Sequence, residues 1–330
     1  MKIACIGNTV YDCVVVGDDF IEEGFRNSFV DAVFNVGGPA SNAASVIAKF
    51  GAEVDFYGQI GNDGIGNFVQ EIIKKENLNI KNLKISDKIM TPLSFVIINK
   101  MKSTRTICTV RSKSDFKGAK IENPDFRSDY GMILTDGKYV EDTLTLMDKN
   151  PNAITIIDAG RVNEDVIELC KKMDYIICSE DFVCGVTNIR LDGNQYTDEL
   201  AYRVMRKNFK NAKEIAITVG KRGYICEKDG NVVNFPVYNS GLEVVDTNCA
   251  GDIFHGAFAY AMSVGYTYHE SLEFANVTAT LSTAKVGGRD SCPDLETVEN
   301  AMTSQKVLVK KLSFKNWKFF YVIFFWLSIR

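Results

Sequence analysis

Between residues 130 and 219 the chain alternates short apolar runs with longer amphipathic stretches, and that alternation leaves few folds open. The apolar runs are Met132-Ile133-Leu134, Ile154-Thr155-Ile156-Ile157, Tyr175-Ile176-Ile177-Cys178 and Glu214-Ile215-Ala216-Ile217-Thr218-Val219. Helical spacing fills 140–148, 164–172 and 196–209 between them. Strands this short and this apolar need cover on both faces, and helical crossovers supply it. The expected fold is α/β: a doubly wound, mostly parallel sheet flanked by helices. Such sheets bind ligands outside the strand C-termini. Polar residues gather there, at Asp136-Gly137, Asp158, Ser179-Glu180 and Thr218 to Gly223.

The N-terminal third reads differently. Met1 to Gly7 is a buried first strand; its apolar run is too short for a signal peptide. Gly7 to Asp12 reads as a polar turn, Cys13 to Val16 as a short strand, and 28–36 as extended. Asp12 then lies just past a strand end, where a turn role and a ligand role are both open. Gly37-Gly38-Pro39-Ala40-Ser41-Asn42 opens a helix; Gly-Gly lets a ligand approach the backbone, and Asn42 can donate and accept. Ile65 to Glu76 is a further amphipathic helix. Gly61, Gly64 and Gly66 do not make G-x-G-x-x-G, which disfavours a dehydrogenase. Residues 93–98 and 105–110 read as a hairpin around a polar turn, giving with 13–17 and 29–36 a small separate sheet.

Residues 246–262 carry the chemistry. Ile253, Phe254, Ala257, Phe258, Ala261 and Met262 follow helical spacing for burial along one face. The small-residue turn Cys249-Ala250-Gly251 precedes them, after the strand-like Leu242 to Val245. A strand, a tight turn and a helix leave backbone N–H groups unpaired at the helix N-terminus, a ready anion site. Asp252 falls in the first turn. An acid there simply favours the helix dipole, or it accepts a proton from a group beside the anion.

A net charge of −4 gives no overall basic footprint for nucleic acid. Nine Cys without a C-x-x-C pair argue for a reducing, cytoplasmic setting with neither a disulfide framework nor a zinc site. Cys5, Cys108, Cys178 and Cys226 sit in apolar runs, as small hydrophobes. The two His, His255 and His269, are too few for a multi-His metal site, and His255 reads as a packed helix residue.

Asp246-Thr247-Asn248-Cys249-Ala250-Gly251-Asp252 resembles the D-T-x-G-A-G-D signature of ribokinase-like (PfkB) carbohydrate kinases. Residues 37–66 resemble that family's G-G-x-x-x-N helix and G-x-x-G-x-D-x-x-G turn. The resemblance spans about 1–302, as one kinase domain with lid strands from about 13–36 and 91–111. It implies ATP with Mg²⁺, leaves K⁺ as an option, and implies a sugar-like acceptor. Asp252 would be the base, with Gly251, Ala250 and Cys249 forming the anion hole. Asp12, Gly37, Gly38, Asn42 and Asp136 would bind the sugar, and Ser179, Thr218, Gly220, Gly223 and Asn276 the nucleotide. Glu180 would serve Mg²⁺, and Asp246 with Ser291 a monovalent cation.

Two positions depart from the family. Cys249 replaces a Gly and is strained if φ is positive there; Phe182 stands where many members have the Glu of N-x-x-E. The fine pattern leans toward ketose-type kinases. A nucleoside kinase is the alternative enzyme, and a non-catalytic sugar- or nucleotide-binding protein the alternative from another class. Large apolar side chains near Phe34 and Phe95 in the lid would favour a base, and a polar lining a sugar. The lid edge offers a homodimer contact. Beyond 302 lies a basic, aromatic tail; its apolar run 319–327, or 319–329 with Ser328 included, falls short of the roughly 17–25 residues needed to span a bilayer, leaving membrane-surface contact through 314–329, a packed C-terminal strand or a tail without a role as readings.

Overall fold

The structure, a computed structural model, describes residues 1–304 except 18–20, 30, 31, 100, 102, 103, 114–117 and 161. The expected tail roles therefore lie outside the described residues. Among those described, no helix is long and apolar enough to cross a membrane.

The main sheet has nine strands. From one edge these are β13 (Asn231–Phe235), β12 (Tyr224–Lys228), β11 (Glu214–Thr218), β10 (Tyr175–Ser179), β9 (Ile154–Ala159), β8 (Met132–Thr135), β1 (Ile3–Ile6), β4 (Val54–Gly61) and β5 (Asn79–Ser86). Seven run parallel, from β11 to β5; β12 and β13 close the edge as an antiparallel hairpin. The chain starts in the middle, grows through β4 and β5, then returns to the other side of β1. The reversal leaves a crevice above Ile6 and Thr135, and the site forms there.

Alternate strand residues feed opposite layers. Ile3, Cys5, Leu134, Ile156 and Ile177 pack with α1 (Pro39–Lys49), α7 (Ala250–Ser263) and α8 (Tyr268–Ser282). Ile157, Cys178, Ile215 and Ile217 pack on the other face, with α4 (Glu164–Cys170), α5 (Glu180–Thr187) and α6 (Gln195–Asn208). Further helices are α2 (Gly64–Ile73) and α3 (Val140–Lys149), and residues 295–304 are helical as well, with Val298 and Met302 in the core. Instead of the expected single buried face, α7 is buried from Ile253 through Ala261, because α1 and α8 enclose it against the sheet.

The separate lid sheet has the order β3 (Ala32–Gly37), β2 (Val10–Gly17), β6 (Leu93–Asn99), β7 (Thr104–Val110). Four expectations need correction. β2 begins at Val10, so Asp12 lies on a lid strand and not in a turn beyond a strand end. β5 was not anticipated; its Asn-Ile-Lys-Asn-Leu-Lys pattern is that of a polar edge strand. Leu242 to Val245 form no strand: three of the four are large, exposed apolar residues, and the amides of Val245 and Asp246 both donate to the Thr283 carbonyl. Cys108 is exposed, since its strand shows that face to solvent. All nine cysteines are free thiols.

Candidate active site

The site is assembled where α7 begins, under the lid and over the ends of β1 and β8. Cys249 caps the helix with φ 62°, the left-handed region, which costs a non-glycine residue about 1–2 kcal/mol. The condition for strain at this departure from the motif, a positive φ, is therefore met. Its side chain is held in compensation: Asn42 Nδ2 lies 3.2 Å from Cys249 Sγ. Gly288, itself at φ 55°, leaves room for that thiol; a Cβ there would sit 3.2 Å from Sγ. The Ala250 N–H closes the turn onto the Thr247 carbonyl at 3.3 Å. Gly251 and Asp252 belong to the first turn, whose amides no helical carbonyl serves. Nothing lies within 4 Å of a Cβ placed on Gly251, so this side of the turn is open.

Asp252 accepts a 2.6 Å hydrogen bond from Asn42 Nδ2 at its Oδ2. Burial pushes its carboxyl up to about 6, helped by Asp158 and Asp136 and opposed by the Asn42 bond and His255. Asp12 faces it from β2. Burial, then the Asp252 charge, push the Asp12 carboxyl up to about 7, while a Ser94 hydrogen bond and Arg289 pull it down. Gly37 lies opposite: a Cβ there would fall on Asp12 Oδ2 and displace that carboxylate. Gly38, at φ 99°, lies against the Asn8 carbonyl with no space for a side chain.

Asp12, Asn35, Asp246, Asn248, Cys249 and Gly287 line one recess between the lid and the α7 turn. Asn35 Nδ2 spans it, donating to the Gly287 carbonyl at 2.7 Å. Asp246 accepts from the Asn248 amide at 2.8 Å and the Gly287 amide at 3.4 Å, tying its loop to the 3₁₀ turn Gly288–Ser291. Ser291 Oγ in turn donates to the Gly288 carbonyl. Asp136 is buried beneath, its carboxylate accepting from the amides of Asn8 (2.8 Å), Lys138 (3.0 Å) and Ala40 (3.3 Å). In this geometry it fastens β1, β8 and α1 together.

The remaining motif residues sit apart, at the ends of β10 and β11 and, for Asn276, on α8. Ser179 caps α5 by accepting from the Phe182 amide. Phe182 itself is fully buried and stacks on Phe209, so the position where relatives of the motif carry Glu is spent on packing. Glu180 accepts from Arg222 Nη2 at 3.2 Å. Thr218 Oγ1 donates to the Cys178 carbonyl. Gly220 and Gly223 have φ 56° and 93°, and a Cβ on Gly223 would overlap the Phe235 carbonyl. Asn276 donates to the Pro236 carbonyl at 2.9 Å. Among the described residues no three His, Cys, Asp or Glu side chains converge on one point suited to a metal.

The chain matches the family model described as pfkB family carbohydrate kinase over residues 1–295. It belongs to that family. Among its relatives is the ATP-dependent 6-phosphofructokinase of Thermoanaerobacterium thermosaccharolyticum, 24% identical over 92% of this chain and 95% of that one. The fold is shared with Arabidopsis thaliana ribokinase, solved with ribose and ATP (TM-score 0.75, 21% identity, 91% of this chain and 98% of that). It is shared equally with a nucleoside kinase of Methanocaldococcus jannaschii (TM-score 0.73, 19% identity, 92% and 99%). This pfkB carbohydrate kinase also carries groups that its sequence did not single out. Ser94 and Asn35 face Asp12 only through the lid pairing, and Arg289 was legible only as part of a loop.

Proposed function

We propose that the chain transfers the γ-phosphoryl group of ATP to a hydroxyl of a sugar or sugar derivative, with a ketose-type sugar favoured. Asp252 takes the hydroxyl proton, and the turn amides of Cys249, Gly251 and Asp252 face the equatorial oxygens of the transferred group, that of Ala250 being turned onto the Thr247 carbonyl. The observation that carries this reading is the Asp252 carboxylate, held by Asn42 in the first turn of α7 and acting on Asp12, which lines the recess beside the Cys249 cap. Asn42 Oδ1 is buried without a partner among the described residues, which leaves an acceptor unserved beside the base.

The lid supports a sugar over a nucleobase. Register pairs Asp12 with Asn35 and Ser94, and Ser94 with Thr109, a polar row on one face. Phe34 and Phe95 pair with Cys13, one residue along, so they lie on the opposite face. Asp12, Gly37, Gly38 and Asn42 would hold the sugar, with Asp136 fixing the floor. Ser179, Thr218, Gly220, Gly223 and Asn276 would border the nucleotide. Mg²⁺ arriving with ATP would neutralise charge on the β- and γ-phosphates, with Glu180 as the nearest proposed carboxylate. Asp246 and Ser291, on loops already tied together, are the proposed K⁺ ligands.

Gly37→Ala is expected to push Asp12 aside and raise the sugar KM by about tenfold, the loss of one charged hydrogen bond, with little change in the KM for ATP. Initial rates with each substrate varied in turn check it; an unchanged sugar KM would remove Asp12 from the sugar site. The pH dependence follows from Asp252. A base works only when deprotonated, and this carboxyl is raised to about 6. So kcat should fall as pH drops through about 6, not through the ordinary carboxylate range near 4. A kcat profile from pH 4.5 to 9 at saturating ATP and sugar reads this directly.

The outer lid face exposes Phe34 (57%), Phe95 (44%) and Val110 (47%), and both edge strands, β3 and β7, are open. A second copy of the lid is the proposed cover. Sedimentation should give a dimer that the double substitution Phe34→Glu and Phe95→Glu converts to monomer. Sedimentation of the wild-type chain as a monomer at micromolar concentration would end the proposal.

A further inference from the structure

We infer that His255 donates a hydrogen bond from both ring nitrogens, and that this positively charged ring is a positioning residue behind Asp252. His255 is only 4% exposed, one helical turn beyond Gly251 on α7. Its Nδ1 lies 2.6 Å from the Gly251 carbonyl oxygen and 3.4 Å from Asp158 Oδ2. Its Nε2 lies 3.3 Å from the Ile177 carbonyl oxygen. Among the described residues the polar atoms against the ring are two backbone carbonyl oxygens and the Asp158 carboxyl, and none of them offers a hydrogen while Asp158 is ionised. A neutral imidazole owns one N–H, so it would set a lone pair against one of these oxygens; a ring carrying both N–H groups satisfies all of them.

Such a ring does two things. It pins the carbonyl of Gly251, whose peptide belongs to the anion-facing turn, to the ends of β9 and β10. It also places a fixed cation among carboxylates. The titratable groups around Asp252 are Asp158 from β9, Asp136 beyond β8, Asp12 from the lid and the Cys249 thiol at the helix cap. Arg289 acts on Asp12 and Cys249, whereas among the described residues His255 draws the Asp252 carboxyl down. Without that charge, a base flanked by Asp158 and Asp136 would hold its proton to higher pH.

The test has two parts. The first is ¹⁵N NMR of the ring nitrogens in the full-length chain at pH 7.5. With only two histidines, the His255 signal is the one lost in His255→Gln. If that variant does not fold, it is the one that survives in His269→Gln. His269 is a built-in contrast, because burial and Lys228 hold its pKa below the ordinary value. Both His255 nitrogens should carry protons; a single-proton tautomer would overturn the inference.

The second part is the kcat–pH profile of His255→Gln. Its acid limb should move upward by about one pH unit, the low end for losing a nearby opposite charge. A limb that stays in place would reject the positioning role, which rests on Asp252 being the base. The two failures separate: a wild-type profile with no limb near pH 6 would count against the base itself, while the NMR result is independent of it.

Discussion

Asp252→Asn is expected to lower kcat by at least about 100-fold, the lower bound for removing a general base. The asparagine keeps the size of the side chain and can still meet Asn42, so the first turn of α7 should survive. What disappears is the acceptor for the hydroxyl proton. Because the groups proposed for the nucleotide lie at the ends of β10 and β11 and on α8, ATP affinity by calorimetry should stay within a few-fold of wild type. Loss of ATP binding together with turnover would mean that Asp252 holds the nucleotide or the fold instead. Near-wild-type turnover would remove it as the base.

Arg289→Met is expected to be the most destabilising single substitution near the site. The Arg289 side chain is fully buried (0% exposed), and every arm of its guanidinium is engaged. Nε donates to the Val36 carbonyl at 2.7 Å, Nη2 to Ser41 Oγ at 2.9 Å, and Nη1 to both Glu76 oxygens at 3.2 and 3.3 Å. These bonds join the lid strand β3, the start of α1, the chain after α2 and the Gly288–Ser291 turn. Truncating one partner leaves the others desolvated, which typically costs about 3 kcal/mol or more. At roughly 1.6 °C per kcal/mol for a domain of about 300 residues, the melting temperature should fall by about 5 °C or more. Glu76→Gln, which keeps an acceptor at the same place, should lose less. Thermal unfolding of both variants, followed by circular dichroism, checks this; equal melting temperatures for Arg289→Met and wild type would show that the network is idle.

The parallel sheet was legible because buried strands are uninterrupted apolar runs and helices keep their spacing. The α7 turn was legible for a related reason, since an anion-facing helix start demands small residues and leaves a recognisable order. β5 was missed because an edge strand needs no continuous apolar pattern, and Asn79, Lys81, Asn82 and Lys84 disguise it. Leu242 to Val245 misled in the opposite direction: residues that favour strands make none without a partner edge. The local pattern put Asp12 in a turn, but pairing with β3 and β6 draws it into the lid. Contacts between distant segments were out of reach altogether. Nothing in Phe254-His255-Gly256 announces that the ring meets Asp158 and Ile177, and nothing in Gly288-Arg289-Asp290 points to Glu76, 213 residues away.

The most direct measurement is product formation from ATP with Mg²⁺ and K⁺, followed by ³¹P NMR, across ketoses, aldoses, amino-sugars, sulfo-sugars and nucleosides. Wild type and Asp252→Asn should be run side by side. A new phosphate ester on a ketose-type sugar, with ADP formed in equal amount and both lost in Asp252→Asn, is the predicted result. Esters formed only on nucleosides would contradict the acceptor assignment. ATP bound without any ester across the panel would contradict catalysis of this kind and favour a chain that binds its ligands without transferring phosphate.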